Sequence, residues 1–118
     1  MGNWTPGPWR TSESGLRMIV RSEDGRIIAV RHRIGAIEHE ANARLIAAAP
    51  ELLEACQTFA EWLRREEDGS AGQPWQGKRD TEEGERAWRE WWNENLRICD
   101  LSQTQVRAAI AKATGQQP

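Results

Sequence analysis

The chain has 118 residues, 38% of them apolar and 29% charged, and a formal net charge of -2. This length predicts a single domain that can bury a core without metal or disulfide support, and the clustered, periodic apolar residues exclude a disordered chain. No apolar run approaches the ~18 residues of a membrane span, and the N-terminus lacks a signal-peptide core, so a cytoplasmic protein without membrane contact is expected.

Charge is unevenly spread. Residues 1–36 hold six arginines against Glu13, Glu23 and Asp24, while the rest of the chain carries ten basic and fifteen acidic groups. Fourteen of the sixteen basic residues are arginine. Arginine suits phosphate and carboxylate forks, but GC-rich coding produces the same bias.

NWTPGPWR opens the chain. Pro6 and Pro8 favour extended backbone and remove two donors, which predicts an edge segment or short strand running into Trp9 and Arg10. Trp4 and Trp9 are expected to cover the sheet. GLRMIVRSEDGRIIAVRHR, residues 15–33, is a hairpin with its turn at Glu23, Asp24 and Gly25. A two-residue Asp-Gly turn sets Val20 opposite Ala29 and Met18 opposite Arg31, mixing faces. A turn with Gly25 as left-handed bulge residue pairs Ser22 with Arg26, Val20 with Ile28 and Met18 with Val30. The second register gathers the apolar residues on one face and is the expected one. It also sets Arg17 opposite Arg31, with Arg21 and Arg33 on the same outer face, a like-charge arrangement that calls for acidic neighbours or an anion.

Beyond Glu38 the period becomes helical. Ala41, Leu45 and Ala48 form one stripe; Pro50 then fits the first turn of a new helix. Leu52, Leu53, Cys56, Phe59, Ala60 and Leu63 follow at amphipathic spacing, with Trp62 at the stripe's edge. Residues 68–80 form a Gly- and Pro-rich loop, with Trp75 as either a plug or an exposed anchor. Asp80 with Glu83 can cap the next helix, on which Trp88, Trp91 and Trp92 share an arc of ~100°. Ser102 and Gln105 resemble a capping box, with Leu101 and Val106 as its staple, so a further helix is expected to start there. The expected architecture is α+β: a small antiparallel sheet of two or three strands followed by about four helices. Its parts are a hairpin region at 1–36, a helical pair at 37–67, the loop at 68–80 and a second helical pair at 81–114.

No nucleophile–base–orienter set, phosphate-cradling loop or metal-ligand spacing is visible. His32 and His39 have no companion ligands. Cys56 and Cys99 are expected to be reduced, buried thiols. The carboxylates sit beside arginines at helical spacing, which is helix support. A non-enzyme without cofactor or metal is expected.

TPGPW, the hairpin with DGRIIAV, and then EANARLIAAAPELLEA together resemble a widespread set of small phage and prophage proteins. Residues 4–60 carry the resemblance; the tryptophan-rich part from about 61 onward does not. The resemblance implies a mobile genetic element and the cytoplasm of a bacterial host. Small phage proteins without catalytic motifs often act by binding, some of them blocking immune complexes such as CRISPR effectors and some sequestering cyclic nucleotides. Two functions follow. One is inhibition of a host defence protein or complex through Trp75, Trp88, Trp91 and Trp92, since tryptophan and arginine are enriched at binding hot spots. The other is an oligomer that holds a nucleotide or other anion on Arg17, Arg21, Arg31 and Arg33. A third reading makes the indoles core or a homodimer seam. On balance Trp88 and Trp92 are expected to pack inward, leaving Trp91 or Trp75 for outside contact.

Overall fold

The computed structural model describes residues 3–14, 17–32, 37–69, 73 and 75–116, with the side chains of 14, 17, 31, 32 and 37–39 outside that description. Three strands, β1 (Trp9–Ser14), β2 (Arg17–Ser22) and β3 (Ile27–His32), precede three helices, α1 (Ile37–Ala47), α2 (Ala49–Asp68) and α3 (Glu82–Thr114). The fold is α+β, with three helices instead of about four. Two compact units divide it: Met1–Ala55 with Gln105–Pro118, and Cys56–Thr104.

The first unit holds an antiparallel sheet in the order β1-β2-β3. At the hairpin tip the Gly25 N–H donates to the Ser22 carbonyl (3.0 Å) and the Ser22 N–H to the Arg26 carbonyl (2.9 Å). Gly25 has φ +89°, as a left-handed turn residue requires. Ser22 is buried; its hydroxyl meets the Asp24 carboxylate and accepts the Arg26 N–H.

Below this tip the expected register fails. Arg21 pairs with Ile27 but Val20 with Ala29, so Ile28 is an extra residue in the ladder. Beyond that bulge Met18 faces Arg31 and Arg17 faces His32, so Arg17 and Arg31 are not cross-strand partners. Apolar alternation alone favoured the other register. The bulge instead places Ile28 and Ala29 together against the core of Met18, Val20, Ala43 and Ala47. A bulge absorbs one residue and so resets the faces. Ile19 pairs with Val30, and of these Ile19 is buried and Val30 open.

Helix α1 packs on all three strands. Ala43, Ala47 and Ala48 are buried, and their small side chains let the helix approach the sheet closely. Pro50 stands in the first turn of α2, where a missing N–H costs nothing. Gly7 lies so close to Pro50 that a Cβ there would sit 2.6 Å from the proline Cβ, which ties the TPGPW segment to the AAAPELL segment. Trp9 packs on the core cluster and donates from Nε1 to the Thr5 carbonyl (3.1 Å), whereas Trp4 is 52% exposed and covers little. Glu51 pairs with Lys112 (2.6 Å), and Glu54 accepts from Gln105 (3.1 Å).

The expected helical pair at 81–114 is one helix of 33 residues. Gly84, Trp88, Trp91, Asn95, Ile98 and Ser102 are buried or half-buried in the second unit; Gln105, Ala109 and Lys112 are so in the first. These positions alternate by four and three, the repeat of a helix packed lengthwise on another. Ser102 is therefore a buried mid-helix residue and not a cap. The cap lies at Thr81, whose Oγ1 accepts the Gly84 N–H at 3.0 Å, one residue after the expected Asp80.

Candidate functional site: an indole–arginine array

The second unit brings all four candidate tryptophans together. Trp88 and Trp91 occupy successive positions of the packed stripe on α3, and Trp92 lies one residue further round. The rings of Trp88 and Trp92 stack with centroids 5.9 Å apart and planes 11° from parallel. That is the natural contact of large side chains four residues apart on a helix. Trp91 lies 6.4 Å from Trp92. Trp75 reaches from the loop to meet Trp91 edge-on at 5.9 Å. The loop supports that reach with successive turns: Gln76 N–H donates to Gln73 O, Lys78 N–H to Trp75 O, and Thr81 N–H to Lys78 O. Trp75 is thus a plug.

Two arginines that sequence reasoning missed complete the array. The Arg79 guanidinium carbon lies 3.8 Å from the centroid of the Trp88 ring, and that of Arg65 lies 5.2 Å from the Trp91 ring. Cationic guanidinium over an indole face is electrostatically favourable. Arg65 also donates to the Trp91 carbonyl (2.9 Å) and to Asn95 Oδ1 (3.3 Å), while Asn95 Nδ2 donates to Glu66 Oε1 (2.9 Å). Asn95 is 4% exposed, so this network satisfies a buried amide and fixes the helix beneath the indoles. Its four-residue spacing from Trp91 was a signal in the sequence; Arg79 had none, because loop geometry alone brings it to Trp88.

Exposure differs from the expectation. Trp75, Trp88 and Trp91 are half-buried, and Trp92, expected to point inward, is 43% exposed. The array is a graded surface: Trp75 and Trp91 anchor it, and Trp92 with Arg79 forms its open edge. The Trp75 Nε1–H is buried without an acceptor among the described residues.

On another side of the same unit, Gln57, Thr58, Glu61, Glu94, Arg97, Ile98 and Leu101 line an open cavity of about 420 Å³. Its charges are already paired, Glu61 with Arg64 and Glu94 with Arg97, each at 2.6 Å. Those hydrogen bonds hold both carboxyls below their ordinary value, the reverse of what a general acid needs. The alternative anion site gains no assembly. Arg21 donates to the Gly25 carbonyl (3.1 Å), Arg17 and Arg31 lie on β2 and β3 with side chains outside the described set, and Arg33 falls outside the described residues. Among the described residues no three His, Cys, Asp or Glu side chains are grouped to hold a metal ion, and no helix is long and apolar enough to cross a membrane.

A family described as Salmonella phage P22 protein Y8K6 matches residues 1–117. The chain belongs to that family. No curated protein and no solved structure matches it. Its phage character is therefore established across nearly the whole length. The family match runs through the indole array, well past residue 60, where the TPGPW and NARLIAAAPELLEA resemblance ends.

Proposed function

We propose that this phage-family protein acts by binding and not by catalysis, and that it binds and inhibits a protein component of bacterial defence, such as a CRISPR effector. The observation that supports this is the array itself: four indoles in mutual contact, two guanidiniums on their faces, and an open edge at Trp92 and Arg79. Tryptophan and arginine held rigidly by a supporting shell lose little entropy on association and dominate protein interfaces. Membership of a phage family supports a host partner of this class, since a phage protein that recognises a host protein gains most by disabling one that acts against the phage.

The test compares the tagged protein with Trp92→Ala and Arg79→Ala in capture from bacterial lysate, and in phage plating on bacteria that carry one defence system at a time. The wild-type chain should retain a specific host protein and raise plating efficiency against one system. Each substitution should lower retention by ~10-fold or more, the size of a moderate hot spot, with the melting temperature unchanged. Retention indifferent to both substitutions removes the array from the interface.

A further inference from the structure

The bulge in β3 changes what the sheet shows on the side away from α1. Helix α1 packs Ala43 and Ala47 on Met18 and Val20, so the alternate positions of β2 face the other way. Directly paired residues share a face, and the register therefore gives that side three rows. Arg10, Arg21 and Ile27 form the first row, and Ser12, Ile19 and Val30 the second; Arg17 is the middle position of the third. No carboxylate belongs to any row. Glu13, the one acidic residue of the three strands, pairs with Met18 and so belongs to the α1 side. Arg31 pairs with Met18 as well, so the bulge takes Arg31 off the outer face and brings Val30 onto it.

This face is open at its flanks. Ile27 is 57% and Val30 44% exposed, and Arg10 and Ser12 are exposed, around a floor made by the buried Ile19 of the central strand. Arg10 and Arg21 stand directly opposite each other. Cβ atoms of such a pair lie ~5 Å apart, which is destabilising for like charges until an anion bridges them. Among the described residues neither has an ion-pair partner. Arg21 spends one donor on the Gly25 carbonyl (3.1 Å), which leaves most of its fork for a ligand. Glu23 lines a cavity of about 210 Å³ with Arg10 and Trp9, but forms no ion pair with Arg10.

We infer that this sheet face docks a short, extended acidic segment of another protein, with a carboxylate between Arg10 and Arg21 and aliphatic side chains over Ile19 and Val30. Charge complementarity selects that occupant: two opposed guanidiniums with no acid in their rows call for a carboxylate, which an arginine fork binds well. An aliphatic centre with a basic rim is also the make-up of a protein interface. The face carries no tryptophan or phenylalanine, whereas single-stranded nucleic acid docks on sheets by stacking its bases on aromatic side chains. From Arg17 to Arg21 the rows span ~13 Å at ~3.3 Å per residue, the length of four or five residues of extended chain. The face lies in the first unit, so the inference does not rest on the indole array.

Fluorescence anisotropy of a labelled, capped peptide of three Asp-Leu repeats, titrated with the full chain, tests this. Saturable binding with a Kd of ~10–100 μM is expected. It should weaken at high salt, since the attraction is between unlike charges, and vanish when Lys replaces each Asp. Arg10→Gln with Arg21→Gln should weaken it ~10-fold or more; Arg10→Gln alone, at an exposed position, should weaken it as well and serves if the double change disturbs the sheet. Val30→Thr, still β-branched, should cost ~3-fold through lost apolar contact. Arg107→Gln on α3, an equal loss of charge, should bind like wild type. Arg21 lies in the central strand, so Arg21→Gln separates docking on the face from strand addition at β1 or β3, which would ignore it. Amide NMR reads the site without a variant: residues 10–12 and 27–30 should shift on peptide addition, and the Trp92 indole N–H should not. No saturable binding up to ~1 mM, binding indifferent to Arg21, or equal binding of oligothymidylate would overturn the inference, the last by giving the face to nucleic acid. Self-association that the double variant abolishes would overturn it too, by giving the face to the second unit of another copy, which holds seven basic and eleven acidic residues. Host-protein capture in the preceding test uses Trp92 and Arg79, so either proposal can fail while the other stands.

Discussion

Gly84 shows how a single atom sets the sign of a substitution. In an exposed helix interior, glycine to alanine stabilises by up to about 1 kcal/mol. At Gly84 a Cβ would lie 1.8 Å from the Lys78 carbonyl oxygen, a backbone atom that cannot swing aside. Gly84→Ala should therefore destabilise the chain by about 2 kcal/mol, as overpacking does, read as a lower midpoint in urea; an unchanged or raised midpoint would show that the loop relaxes freely. Asp24 is the second informative residue. The Ser22 hydroxyl holds its carboxyl below the ordinary 3.8, with smaller help from the Arg26 backbone and charge. A lowered folded value means that this contribution to stability is present above 3.8 and is lost as pH falls through the folded value. Carboxyl NMR should give an Asp24 midpoint below 3.8 that rises toward it in Ser22→Ala. A midpoint at or above 3.8 in the wild-type chain would show that the Ser22 contact does not favour the ionised form.

At the scale of elements, α3 separates true from apparent start signals. Thr81 satisfies an orphan N–H at a real helix end, so Thr81→Ala should cost about 1 kcal/mol. Ser102 carries the sequence pattern of a cap but lies inside the continuous helix. Ser102→Ala should be neutral or stabilising by up to about 0.5 kcal/mol, following helix propensity. Urea unfolding of the two variants side by side decides it: a loss at Ser102 as large as at Thr81 would mean that the helix breaks there. The contrast also explains what the sequence concealed. The strands, the Gly25 turn and the amphipathic stripe of α2 announce themselves through alternation and spacing. The packed stripe of α3 does not, because Gly84, Asn95, Ser102, Gln105 and Lys112 interrupt the apolar residues that would reveal it. The β3 bulge at Ile28 was hidden for a different reason: apolar residues at both 28 and 30 make the unbulged register the more amphipathic one, and packing of Ile28 and Ala29 on the core of Ala43 and Ala47 goes with the bulged one.

At the scale of the whole molecule, charge decides which ligands the indoles can take. Trp75, Trp88, Trp91 and Trp92 were legible in the sequence as candidates, since so many tryptophans exceed what a small core needs. Their supporting arginines were not, because Arg65 and Arg79 reach the rings through tertiary contacts. An exposed indole beside guanidiniums is also what a single-stranded nucleic acid would stack on. Such ligands, however, depend on a basic groove that tracks the phosphates. The unit that carries the array has four more acidic than basic residues, and Arg79 already leans on Glu85 at 3.4 Å. Phosphates approaching Trp92 would meet net repulsion, strongest where salt is low, whereas a protein surface with basic groups would be drawn in. Oligothymidylate added at low salt should therefore leave the tryptophan fluorescence unquenched up to ~100 μM, a concentration that reveals even weak stacking sites. Saturable quenching that Trp92→Ala abolishes would give the array to nucleic acid and withdraw it from a protein partner.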